Sequence, residues 1–335
     1  MSTSSVPDVL SYARLSRLVS DVKARTAATS AEAVTGRKDD VTAAVKGDIG
    51  GVHILKKAVD DAKHYQTRLS AAENRASLTQ NALQSLTQDT TDLATGSLAA
   101  LQKGENASLV PYSDQARSAL ETVFATLNTS AGGRTLFGGD EGGVAPLGDV
   151  NQLLSDVQSI MAAGPDAASV NTALDTYFND PAGGFQTTIY QGGSGDAPPV
   201  EISPGVRVNA SVKADAEPLK ELIRGLAVLA NYQTLPAGST SERDAVVGDG
   251  VKLTLKAEND ITYMRANLGI SEQQISTAKT RYADAETLYS KLYANKTTRD
   301  SYDAAAELQQ LEAQLQSSYL VTARLSQLSF ANYLD

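Results

Sequence analysis

The chain has 335 residues and a mass of 35.1 kDa, enough for two or three domains and a sizeable core. A hydrophobic fraction of 41% against a charged fraction of 20% excludes a disordered acidic tail, and 29 basic against 39 acidic residues, a net charge of −10, argue against a nucleic-acid binder or a polybasic membrane-surface protein. Cysteine and tryptophan are absent and histidine occurs twice, which removes disulfides, thiolate nucleophiles and most of the usual residues of hydrolytic, redox and zinc chemistry.

In chain order, Met1–Val22 lacks the basic start, apolar block and small-residue cleavage site of an ordinary signal peptide. Leu15, Leu18 and Val22 form a short apolar stripe, and Lys23–Lys46 is small and polar. An end so weakly sorted buries little surface alone, so the first 45 residues are expected to stay disordered until they meet a partner. Leu55, Ala58, Ala62, Tyr65, Leu69, Ala72, Ala76, Thr79, Leu83, Leu86, Thr90 and Leu93 then recur at alternating three- and four-residue steps. That heptad seam predicts a helix packed lengthwise on other helices, roughly 55–60 Å long at 1.5 Å per residue.

Residues 129–210 hold 14 of the 25 glycines and 6 of the 10 prolines, so this stretch interrupts the helical arms on either side. Val150–Met161 and Ala167–Phe178 read as short helices around Gly164-Pro165, and Gln186–Tyr190 reads as a strand. Val200–Ile202 and Val206–Val212 flank Ser203-Pro204-Gly205 as a hairpin. Pro218–Tyr232 returns to an amphipathic helix. Val247 to Leu268 and the seam Ile275, Ala278, Tyr282, Ala285, Tyr289 and Leu292 continue it; Ser271 and Gln274 have capping-box spacing, with Gly269 also compatible with a longer helix. Asn295–Asp300 reads as a joint before a last helix carrying Leu308, Leu311, Leu315, Tyr319, Thr322, Leu325 and Leu328.

Nothing in this inventory assembles a reaction centre. His53 and His64 lie about 16 Å apart by helical rise, too far for one metal ion. Gly138-Gly139-Asp140-Glu141-Gly142-Gly143 lacks both the Gly-Lys-Ser/Thr ending of a phosphate loop and the spaced ligands of a calcium loop, and reads as a flexible turn. Asp39-Asp40 reads as a helix cap or polar contact. No catalytic, cofactor-binding or metal site is expected, and the chain is not expected to be an enzyme. The predicted fold is mainly α: a long antiparallel helical bundle or coiled coil made by N- and C-terminal arms, with a small inserted α+β domain. The expected division is terminal segments 1–45 plus 296–335, a bundle of 46–130 plus 214–295, and an insert of 131–213.

Several short elements together resemble the bacterial flagellin superfamily and, within it, the hook–filament junction proteins. Thr35-Gly36-Arg37-Lys38-Asp39-Asp40 is similar to that family's Thr-Gly-Lys element and paired aspartates, with Lys38 and Val41 where the family has Ser and Pro. Gly133-Arg134-Thr135-Leu136-Phe137-Gly138-Gly139 with Pro146-Leu147 resembles the element opening the inserted domain. Tyr190-Gln191-Gly192-Gly193, Val200-Glu201-Ile202 and Val206-Arg207-Val208 resemble its later hairpin, and Arg265-Ala266-Asn267-Leu268-Gly269 an element of the returning helix. Leu315-Gln316-Ser317-Ser318-Tyr319, Ala323–Ser329 and Asn332-Tyr333-Leu334 resemble the ending of junction proteins.

The resemblance implies a structural subunit that leaves the cell unfolded through the flagellar export apparatus, without a cleaved signal peptide and with or without an export chaperone. It implies an extracellular, ring-like self-assembled layer in the flagellum. Another hook-associated protein would lie on the hook side, and flagellin or an adjoining junction layer on the filament side; no nucleic acid and no membrane would be bound. Assembly would run through Leu15, Leu18 and Val22 with Leu311, Leu315, Leu325 and Leu328. Flagellin itself and a cytosolic coiled-coil scaffold or export chaperone are the alternative readings.

Overall fold

The computed structural model describes residues 6–104, 106–234 and 240–331, and side chains within 13–104, 108–233 and 241–324. Along these residues run α1 (Val6–Thr35), α2 (Val41–Ala44), α3 (Ile49–Lys103) and α4 (Val110–Leu127). Two minimal strands follow, β1 (Ser130–Ala131) and β2 (Arg134–Thr135), then α5 (Val150–Ala163), α6 (Ala167–Asn179), β3 (Val200–Ser203) and β4 (Val206–Val208). The chain ends with α7 (Glu217–Ala230), α8 (Thr240–Thr297) and α9 (Ser301–Ala331). Both sheets are two-stranded antiparallel hairpins, so the fold is mainly α with a small α+β insert, as the sequence predicts.

Contacts divide the chain into two units, residues 1–64 with 282–335 and residues 65–281. In the first unit α1 packs along α9. Pro7 suits the first turn of α1 because its missing N–H would have no helical partner there. Gly36 ends the helix: its φ of +63° is left-handed, and its N–H reaches the Glu32 carbonyl at 2.8 Å. Asp40 then caps α2 by accepting from the Ala43 N–H at 2.9 Å, the bland role expected of that aspartate pair.

The second unit holds one continuous core contributed by α3, α4, α5, α6, α7 and α8. Part of the seam read from the sequence is inside it: Ala76, Leu83, Leu86 and Leu93 belong to this core, and Leu69, Thr79 and Thr90 are buried as well. α7 is apolar and buried along Leu226–Ala230, where it packs in the core with α4 and α5 as neighbours. Gly225 lets α7 cross close to α8; a side chain there would meet Thr254 and come within 2.6 Å of the Gly250 carbonyl.

Three local expectations change. Gln186–Tyr190 is not a strand: Phe185–Ile189 forms a wide helical turn closed by Tyr190 N–H to the Phe185 carbonyl at 2.8 Å. Phe185 and Ile189 are both fully buried while Thr187 between them is exposed; a strand would put all three on one face, whereas a helical turn keeps only the first and last together. Ser271 does not open a helix; it lies within α8 and donates to the Asn209 carbonyl at 2.7 Å. Gly138–Gly143 is no free turn. Asp140 N–H donates to the Gly195 carbonyl at 3.0 Å, Gly193 N–H to the Gly138 carbonyl at 2.9 Å, and Ala214 N–H to the Phe137 carbonyl at 2.9 Å.

Candidate assembly interface

The candidate interface starts from the α1–α9 pair. Along α1, Leu15, Val19, Val22, Thr26, Thr29 and Ala33 recur at alternating four- and three-residue steps and are half-buried or buried. Along α9 the matching row is Ala304, Leu308, Leu311, Leu315, Ser318 and Thr322. Two such rows facing each other are the pattern of a coiled-coil seam. Val22, Leu311 and Ala304 are buried, Leu15 and Leu315 half-buried. Leu18 lies off the row and is 59% exposed; Val19 takes the seam position. Tyr319, Leu320 and Val321 are likewise exposed, Leu320 by 66%. The side chains of Leu325 and Leu328 lie outside the described residues.

The pair is clamped at one end by the joint between α8 and α9. Arg37 bridges antiparallel to Thr298, Lys38 N–H donates to the Thr297 carbonyl at 2.9 Å, and Arg299 N–H donates to the Gly36 carbonyl at 3.0 Å. Side chains reinforce it: Arg299 pairs with Glu32 and Glu307, Arg25 with Glu307 at 3.0 Å, and Lys296 with Asp48 at 2.9 Å. The Thr35–Asp40 element thus acts as backbone architecture. It sets where α1 leaves α9.

Arg299, and after it Arg25, holds the Glu307 carboxyl below its ordinary value of 4.5, and the same contacts raise Arg299. A carboxyl whose folded value is depressed stabilises the fold above its unfolded value, and that contribution is lost as pH falls through the lower folded value. Solvent-facing pairs of this kind contribute about 0.2–1 kcal/mol. Amide protection in α1 and α9 is therefore expected to fall on acidification below about pH 4.5, the ordinary carboxyl range. Glu307→Gln should lose most of that acid response in hydrogen exchange. An unchanged response in the variant would assign it to other carboxylates.

In the second unit the elements that carry the family resemblance meet in one glycine-rich knot. Gly139, at φ +66°, passes so close to the Gly195 carbonyl that no side chain fits, and Gly193 does the same against Asp140. Gln191 N–H donates to the Pro146 carbonyl and Gly148 N–H to the Ile189 carbonyl, at 2.9 and 2.8 Å. Asn128 holds Leu147 through both its amide groups, each at 2.9 Å. Arg75 of α3 donates to the Thr135 carbonyl. Burial pushes the Tyr190 hydroxyl well above its ordinary pKa, and that hydroxyl donates to the Gly193 carbonyl at 2.8 Å. The Arg265–Gly269 element joins α8 to α3: Gln80 donates to the Arg265 carbonyl at 2.7 Å, and Arg265 to Gln84 at 3.1 Å. These groups serve packing and backbone pairing.

His53 and His64 are exposed, and among the described residues no group of three or more His, Cys, Asp or Glu side chains could hold a metal ion. No described helix is long and apolar enough to cross a membrane.

Residues 251–334 match the bacterial flagellin C-terminal helical region. Among solved structures, the crystal structure of Bacillus cereus FlgL is 17% identical, with a TM-score of 0.51 over 72% of this chain and 99% of that one. A putative flagellar hook-associated protein from Vibrio parahaemolyticus is 16% identical, with a TM-score of 0.33 over 74% of this chain and 98% of that one. No curated protein sequence matches the chain. The matched C-terminal region contains most of α8 and all of α9 up to Ala331, the partner of α1 in the clamp just described. Residues 251–334 of the chain thus carry a flagellin-type C-terminal helical region, and the fold is similar to that of B. cereus FlgL.

Proposed function

We propose that the chain is a structural subunit of the bacterial flagellum, forming the junction layer between hook and filament by polymerising through its terminal helices. One observation carries this reading. The α1–α9 pair buries a seam yet leaves Leu18, Tyr319, Leu320 and Val321 exposed beside it, in and around the region matched to flagellin. A helix pair with apolar positions left over on its outer faces suits packing against copies of itself. The B. cereus fold match and the junction-type ending of the sequence, Ser326-Gln327-Leu328-Ser329 with Tyr333-Leu334, favour the junction over the filament.

In this account, residues 1–45 and 296–335 assemble, residues 46–130 with 214–295 form the supporting bundle, and residues 131–213 face outward. The contacting set is Leu15, Leu18, Val22, Leu311, Leu315, Leu325 and Leu328. The neighbours are further copies, a hook-associated protein on one side, and flagellin or an adjoining layer on the other. The subunit reaches the cell exterior through the flagellar export apparatus. Its work is mechanical, and it needs no cofactor.

Leu325→Asp tests the assembly set. The variant is expected to be soluble and folded, with its incorporation into flagella reduced at least about tenfold, the effect of placing a charge in an apolar interface. Incorporation equal to the unmodified chain would remove Leu325 from the interface.

A further inference from the structure

One buried ionisable group has no place in assembly or in the joint. Glu258 of α8 is 9% exposed, beside buried Thr254, Ala257 and Ile261 on the same helix. One carboxyl oxygen accepts from Thr91 of α3 at 3.2 Å. The other, Oε1, is shut off from solvent with no hydrogen-bond partner.

The groups that face this carboxyl from α3 are hydroxyls, Thr90 and Thr91; Thr90 is fully buried and already donates to the Leu86 carbonyl at 2.8 Å. On α8 itself the charged neighbours are otherwise engaged. Lys256 pairs with Asp260 at 3.0 Å and with Glu221 of α7 at 2.6 Å. A buried carboxylate with one weak donor and no cation is costly, whereas the neutral acid is tolerated far better in the same place. Elsewhere along α3 and α8 in this unit, Glu73 pairs with Lys279, Gln80 donates to the Arg265 carbonyl and Arg265 donates to Gln84, so the carboxylate among these groups, Glu73, has a cation beside it.

We propose that Glu258 is a built-in weak point of the α3–α8 contact, a carboxyl seated where only its neutral form is well accommodated, so that the contact tightens in mild acid and loosens toward neutral pH. The direction follows from linkage. Burial raises the Glu258 carboxyl above its ordinary 4.5, opposed by the Thr90 and Thr91 hydroxyls. For a group raised in the folded state, the contribution is fully present below the unfolded value and is lost as pH rises through the folded one. This is opposite in sign to Glu307 in the other unit. The inference stands on the second unit alone and does not depend on what the chain assembles into. A subunit that must unfold and refold would nevertheless gain from a core contact that yields near neutral pH.

The test compares the full-length chain with Glu258→Gln and Glu258→Met in thermal unfolding at pH 5 and pH 7.5, with hydrogen exchange reporting residues 85–95 and 254–262. Glu258→Met retains the side chain's length without charge, and the expected result is a rise in Tm of roughly 2–4 °C at pH 7.5 with a smaller rise at pH 5. Glu258→Gln is expected to flatten the pH dependence in the same way, even if its amide lacks an acceptor and its absolute stability does not rise. Both variants keeping the full pH dependence of the unmodified chain in those two segments would overturn the proposal. So would a fall in Tm for Glu258→Met that is larger at pH 7.5 than at pH 5.

Discussion

A full-length chain carrying Leu311→Asp is expected to lose the α1–α9 pairing while residues 65–281 remain folded. Leu311 is 3% exposed, in the row that faces α1. The substitution removes a buried leucine and leaves a carboxylate among apolar and hydroxyl side chains, at a cost on the order of 3–5 kcal/mol. Arg25 and Arg299 cannot rescue it, because both are already engaged with Glu32 and Glu307 one turn and more away. Hydrogen exchange should then show loss of protection across α1 and α9, with α4, α5 and α7 unaffected. Protection retained in α1 would mean that the joint at Gly36–Lys38 and Thr297–Arg299 holds the helix without the seam.

Phe137→Ala is expected to destabilise the second unit by about 3–5 kcal/mol, the usual cost of emptying a fully buried aromatic site. The position makes collapse around the gap difficult. Phe137 follows Thr135, whose carbonyl accepts from Arg75, and precedes Gly138 and Gly139, which are interlocked with Gly193 and Gly195. Its own carbonyl is tied to Ala214 N–H at 2.9 Å. The backbone therefore cannot follow the missing ring, and the void persists. Denaturant unfolding of the variant should show a lower midpoint, with loss concentrated in residues 65–281. A change below about 1 kcal/mol would show that the knot is more compliant than its hydrogen bonds suggest.

How much of this was legible in the residues depends on the range of the interaction. The α3 seam could be read because Leu69, Ala76, Leu83 and Leu93 repeat locally, and a helix needs no information from elsewhere to place them on one face. The joint at Asn295–Asp300 was readable for the same reason: its polar run breaks both periodicities, and α8 ends at Thr297. In α1 the sequence stripe runs through Leu18, yet the seam passes through Val19. Steps of three and four are both helical, and only the partner helix decides between them. Gln186–Tyr190 reads as a strand because Thr187, Thr188, Ile189 and Tyr190 have high strand propensity, which is overridden where Phe185 and Ile189 are buried and Thr187 is left exposed. The glycine knot and the burial of Glu258 were out of reach. Each depends on contact between segments far apart in the chain, and a single sequence carries no signal for that.

The measurement that bears most directly on the account is immunogold electron microscopy of intact flagella, with antibody raised against residues 140–209. The account predicts a single label cluster where hook meets filament. Label spread along the filament would make the chain a filament subunit, and flagella without label would contradict a flagellar role and favour an intracellular scaffold or export chaperone.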